Sequence, residues 1–225
     1  MTPTVHDVRG APVPGLSGVL PRPVAGRVQF RDVLERALPQ PRAARMPAPD
    51  SKQALAATIR HAAGTAGVEP GLSVAVARAE SALDPRARSS DGLSIGTFQM
   101  TRATAAEMRR KIAARTVARP SGPDDVALGV GYLRYLQDLF GRSARLAPGL
   151  ATVPVRDAGE RRLFAVASFN AGEGRVARAQ ALAAAAGGDP TRFADVRRFL
   201  PKITRDYVAR VVAYAAERAP SAGVA

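Results

Sequence analysis

Glu80 is an acid where the surrounding pattern calls for an apolar side chain. The run from Leu72 to Leu83 reads as a helix that is apolar nearly all round, and such helices are buried. Leu72 and Val76 precede Glu80 by eight and four residues, Ala77 precedes it by three, and Leu83 follows by three. At helical spacing these residues form one stripe with the carboxyl inside it. A carboxylate held against aliphatic walls loses hydration, so its pKa rises and it keeps a proton near neutral pH. A general acid needs that property. Two other settings are open to Glu80. One is a solvated helix surface, where most glutamates sit. The other is an ion pair with an arginine, which would lower the pKa.

Three further patterns follow in order: Ser89 to Met100 with glycines at 92 and 96, Ser168-Phe169-Asn170-Ala171-Gly172, and Thr204-Arg205-Asp206-Tyr207-Val208. Gln99 and Asn170 carry donors and acceptors that suit the N-acetyl and hydroxyl groups of a neutral sugar chain. Gly92 and Gly96 let a backbone turn approach a ligand closely. Plainer roles are open as well. Gly172 and Gly174 can end one helix and start another, Asn170 can be a turn residue, and Tyr207 can be core.

The elements that must position these groups are helical. Asp50 or Ser51 can cap a helix to about Ala66, with Leu55, Ile59 and Ala63 inward and Gly67 as its stop. Pro70 suits the first turn of the Glu80 helix. Residues 84–100 are turn-rich, with short pairing within 89–99 as the one candidate for strand. Helices are predicted from Thr101 to about Arg115, over 124–140 with Val126, Val130, Leu133 and Leu136 or Gln137 on successive turns, and at about 160–168, 173–187, 190–199 and 203–218. Asp124 and Asp125 read as caps, and 142–158 reads as an irregular insertion. The fold class is all-α.

Residues 1–50 hold nine of the eighteen prolines and little apolar mass, which predicts a disordered tail. Within it, Phe30, Val33, Leu34 and Leu38 could line a short helix over 28–38. The domain proper is expected over 51–218, with a flexible terminus at 219–225. There is no cysteine, hence no thiolate metal site, and His6 and His61 lie far apart, so neither a metal nor a cofactor is expected. The net charge of +14 favours a polyanionic partner but selects none, and eleven aromatics without a reading motif argue against nucleic acid. No run approaches the roughly 18 apolar residues of a membrane span. The first residues lack the pattern of a secretory signal.

Glu80-Ser81, Gly96-Thr97-Phe98-Gln99, Asn170-Ala171-Gly172 and Thr204-Arg205-Asp206-Tyr207-Val208, in that order, resemble the soluble lytic transglycosylase domain, over roughly 51–218. The resemblance implies a lysozyme-like helical domain with a substrate groove. It implies Glu80 as the one catalytic carboxylate and Ser89, Phe98, Gln99, Phe169, Asn170 and Tyr207 as substrate-binding, Tyr207 approaching the acid. It further implies cleavage of the bond between N-acetylmuramic acid and N-acetylglucosamine in peptidoglycan, with 1,6-anhydro ends. The chain departs from the pattern in five places, one of them the unusual insertion at 142–158. Phe169 stands where a tyrosine is common, Thr97-Phe98 replaces Leu-Met, Ile203 stands where a glutamate is frequent, and the stretch from Glu80 to Gln99 is one residue longer. Rival readings are a hydrolase resembling goose-type lysozyme and a non-catalytic wall-binding assembly factor. A substrate outside the cytoplasmic membrane implies the periplasm or cell wall. Export without a recognisable signal peptide, through a secretion or flagellar apparatus addressed by the tail, is the matching expectation.

Overall fold

Capping chemistry sets the helix boundaries in the computed structural model, which describes residues 49–114 and 120–217. The predicted tail, its helix at 28–38 and the terminus at 219–225 lie outside the described residues. Helix α1 (Pro49–Ala66) gives way to Gly67 at φ 66°. Helix α2 (Pro70–Ser81) opens on Glu69, whose carboxylate accepts from the Gly71 and Leu72 amides at 2.7 and 2.6 Å. The side chain satisfies two amides that a helix start leaves unpaired. Thr101 caps α3 (Arg102–Ala113) and Asp157 caps α5 (Ala158–Ala171), each through a side-chain oxygen. Between these lies α4 (Asp124–Phe140). After α5 come α6 (Glu173–Ala185), a short α7 (Phe193–Val196) running into a 3₁₀ turn at Arg197–Phe199, and α8 (Lys202–Ala216).

Two antiparallel hairpins complete the described residues: β1 (Ser94–Ile95) with β2 (Met100–Thr101), and β3 (Arg145–Ala147) with β4 (Leu150–Ala151). The second corrects the expected irregular insertion. Its order comes from two polar side chains. Thr152 Oγ1 accepts from the Ala144 amide at 2.9 Å and donates to the Arg142 carbonyl at 2.7 Å. Gln180 on α6, fully buried, bonds both the amide and the carbonyl of Val153. The expected helix over 190–199 is also shorter, and α5 runs on to Ala171, so Asn170 lies on a helix rather than in a turn.

Helix α4 is central to the core. Val126, Val130, Leu133 and Leu136 have no exposed surface, the helical spacing read from sequence. Gly129 on the same helix lets Phe98 lie against the backbone: a Cβ there would stand 2.2 Å from Phe98 Cγ. Helix α2 packs between α1 and α8, and α5 packs on α4. Ile59 and Ala63 on α1 and Val76 and Ala77 on α2 are fully buried, so the stripe around Glu80 faces the protein interior.

Candidate active site

The last turn of α2 carries Glu80, half-buried, with its Oε1 accepting a 2.6 Å hydrogen bond from the Tyr207 hydroxyl on α8. Burial pushes the Glu80 pKa up from the ordinary 4.5 to about 7, while the Tyr207 bond and the charge of Arg210 pull it part of the way back. Desolvation is the largest effect, because one phenol hydrogen bond and one nearby guanidinium restore less of the carboxylate's stabilisation than burial removes. The solvated alternative therefore does not apply. Neither does the ion-pair alternative: among the described residues no guanidinium is bonded to Glu80. The Arg210 guanidinium lies over the Tyr207 ring, 5.6 Å from its centroid.

Beside Glu80 lies an open groove of about 780 Å³, whose walls include Ser89, Gln99, Phe169 and Asn170. Glu80 is the only carboxylate in that lining. Asn170, exposed on the last turn of α5, has no protein partner among the described residues and presents a free amide. Phe169, half-buried, is backed by Tyr132 and Phe98 at centroid distances of 5.2 and 6.2 Å. Gln99 spends both amide hydrogens on the Ala87 and Gly96 carbonyls, at 3.0 and 2.8 Å, which leaves Oε1 as its acceptor. Ser89 Oγ donates to Asp91 Oδ1 at 2.5 Å and accepts from the Ser94 amide at 2.9 Å.

Two expected contact residues stand elsewhere. Phe98 is 1% exposed; its ring fills the space over Gly129 and supports Phe169 from below, so it is floor packing. Tyr207 is 3% exposed and its hydroxyl faces Glu80. It bonds the Glu80 carboxyl and is not part of the groove lining. Both are buried because their rings sit on the inner side of the elements that carry the site.

Sequence reasoning missed the scaffold beneath the groove. Ser81 Oγ donates to the Thr97 carbonyl at 2.8 Å, tying the end of α2 to the turn before Gln99. Thr97, with no exposed surface, donates its hydroxyl to Asp125 Oδ2 at 2.7 Å. Asp125 was expected as a cap. The cap position is Pro123, and the Asp125 carboxylate clamps the loop instead. The signal available was Thr97 itself, a polar residue between Gly96 and Phe98. Three non-glycine residues with positive φ flank the site: Ala82, Leu83 and Gln99, at 53°, 62° and 44°. Each such residue costs on the order of 1–3 kcal/mol and persists only where its surroundings over-determine it. Among the described residues no group of three His, Cys, Asp or Glu could hold a metal ion.

A family model, the transglycosylase SLT domain, matches residues 57–190. The chain belongs to this family. The matched residues include the first three of the four motifs, while Thr204–Val208 follows the match. Among curated SLT relatives, the membrane-bound lytic murein transglycosylase F of Desulfosudis oleivorans is 34% identical over 152 residues, 67% of this chain and 29% of that protein. The protein of the same name from Thiobacillus denitrificans is 32% identical over 148 residues, 66% of this chain and 27% of that one. The chain thus spans less than a third of the length of these relatives. Among solved structures, an inactive mutant of lytic transglycosylase Slt from Pseudomonas aeruginosa superposes with a TM-score of 0.50 at 25% identity, over 71% of this chain and 23% of that one. The 70 kDa soluble lytic transglycosylase of Escherichia coli gives the same TM-score at 24% identity and the same coverage, and so shares the fold.

Proposed function

We propose that this SLT domain is a peptidoglycan lytic transglycosylase with Glu80 as its one acid and base. The observation that carries the reading is a carboxyl whose pKa is pushed up to about 7, bonded to Tyr207 and opening on a groove with no second carboxylate. Glycosidases that use two carboxylates set the second about 5–5.5 Å or 6.5–9.5 Å from the first. Here the polar side chains of the lining besides Glu80 are amides, hydroxyls and guanidiniums.

In this reading Glu80 enters protonated and gives its proton to the glycosidic oxygen between N-acetylmuramic acid and N-acetylglucosamine. The substrate's acetamido group stabilises the positive charge that develops at the anomeric carbon. The Glu80 carboxylate, favoured once formed by Tyr207 and Arg210, takes the proton of the muramic 6-hydroxyl as that oxygen closes the 1,6-anhydro ring. A pKa near the working pH serves both steps, and proton transfer so positioned contributes roughly 10²–10⁴-fold. Asn170 and the Gln99 acceptor hold the acetamido and hydroxyl groups, Ser89 contacts the chain, and Phe169 packs under a sugar face. The missing hydroxyl at Phe169 leaves Tyr207 as the phenol beside the acid.

Mass spectrometry of products from purified sacculi tests the reaction. Anhydro ends are expected, and reducing ends heavier by one water would assign a goose-type hydrolase instead. Absence of any soluble product would leave a wall-binding factor. The site of action follows from the substrate: the periplasm or cell wall. A role in opening the wall for a secretion or flagellar apparatus rests on the proline-rich segment of the sequence. Fractionation of cells carrying a tagged copy tests it, a purely cytoplasmic pool counting against it.

A further inference from the structure

Two guanidinium residues line the groove, Arg78 and Arg88. Arg78 is committed: it pairs with Glu217, and its guanidinium lies 4.0 Å from the Tyr214 ring centroid. Arg88 is exposed and has no side-chain partner among the described residues. Its backbone is nonetheless fixed. Arg88 bridges antiparallel to Ile95, the Ser89 amide donates to Ser94 O at 3.0 Å, and the Gly96 amide donates to Ala87 O at 2.9 Å. The side chain therefore leaves a rigid wall of the groove whose lining has Glu80 as its only acid; the nearby Asp91 carboxylate accepts from Ser89 Oγ and the Leu93 amide.

Neutral sugar does not need such a cation. The acetamido and hydroxyl groups are served by Asn170, Gln99 and the serines. Negative charge on a peptidoglycan strand resides in the carboxylates of the peptide stem carried by muramic acid, or in the lactyl carboxylate where no stem is attached. A guanidinium binds a carboxylate through two parallel N–H donors. We propose that Arg88 recognises a stem carboxylate and makes the groove select strands that carry acidic peptides. This rests on peptidoglycan as the substrate.

Binding decides it without turnover. The full chain carrying Glu80→Gln, with and without Arg88→Gln or Arg88→Lys, is titrated with two probes. One is a disaccharide–tetrapeptide fragment of peptidoglycan; the other is the same fragment with its carboxylates converted to amides. Arg88→Gln is expected to weaken the native fragment about tenfold, the effect of one charge-assisted bond, and to reduce the salt dependence of its affinity. Arg88→Lys keeps the charge without the fork and falls between. The amidated fragment should bind all three proteins alike. Unchanged affinity for the native fragment, an equal loss for both probes, or no binding of the native fragment by the Arg88 protein each overturns the assignment. A wild-type protein that binds the fragment and releases no product from purified sacculi would instead sink the catalytic reading alone.

Discussion

The Tyr207 hydroxyl donates a 2.6 Å hydrogen bond to Glu80 Oε1 across 127 residues of sequence, joining α8 to the end of α2. The bond favours the ionised carboxylate, whereas burial favours the protonated acid, and the balance stands at about 7. Removing the hydroxyl shifts that balance upward. Tyr207→Phe should move the basic limb of the pH–kcat/KM profile to higher pH and reduce kcat at neutral pH about tenfold, the loss of one oriented hydrogen bond to a charged group. A profile that stays in place would count against Tyr207 as the residue that tunes the acid.

Glu80→Gln should lower glycan cleavage by at least about 10²-fold. Its effect on stability has a definite sign. Because the folded pKa lies above the ordinary value, the protonated acid favours folding fully below about 4.5, and that contribution is lost as pH rises through about 7. A permanently neutral glutamine escapes the loss. Melting temperatures of the two proteins should agree at pH 4, and the variant should melt higher at pH 8, by an amount equivalent to about 2 kcal/mol after allowance for the partial exposure of the group. A variant that melts lower at pH 8 would contradict the desolvated setting.

Thr97→Val keeps the shape of a fully buried side chain and removes the donor to Asp125. An acceptor left without its partner costs about 1–3 kcal/mol, and the turn holding Gln99 loses its anchor. Chemical denaturation should register that loss, and KM should rise as the Gln99 acceptor drifts. Thr97→Ser should restore both.

Gly129→Ala puts a methyl 2.2 Å from Phe98 Cγ, with backbone on one side and a fully buried ring on the other. Overpacking of this kind costs about 1–3 kcal/mol. The displaced ring supports Phe169, so activity should fall further than at Gly64, where an alanine meets nothing within 4 Å. Comparing the two variants by thermal melts and by sacculus clearance checks this.

Asn170→Ala removes an exposed, unpartnered amide and should leave the melting temperature unchanged within a degree or two, since surface changes away from packed features move stability by less than about 0.5 kcal/mol. Its cost belongs to substrate: KM should rise about tenfold with soluble glycan strands. Unaltered KM would return Asn170 to a helix-end residue without a role in binding.

Local pattern was enough for the long helices, though not for all their ends, and for the anomaly at Glu80. Spacing of three and four residues is a property of neighbours along the chain, so Val126, Val130, Leu133 and Leu136, or Leu72 and Val76 around the acid, announce their burial before any fold is known. The same local logic finds Pro70 at a helix start and Gly67 beyond a helix end. The order of four short motifs then points to one family. What neighbours cannot reveal is which distant group meets which. Thr97 and Asp125 are 28 residues apart, Val153 and Gln180 are 27 apart, and each pairing satisfies a buried polar atom that needs a partner once water is gone. That requirement arises only on burial, so no periodicity carries it. For the same reason Phe98 and Tyr207 could be read as groove residues until packing turned them inward. The carboxyl's position in an apolar stripe is written in the chain; its value of about 7 is set by the balance of aliphatic walls, one phenol and one guanidinium that folding alone assembles.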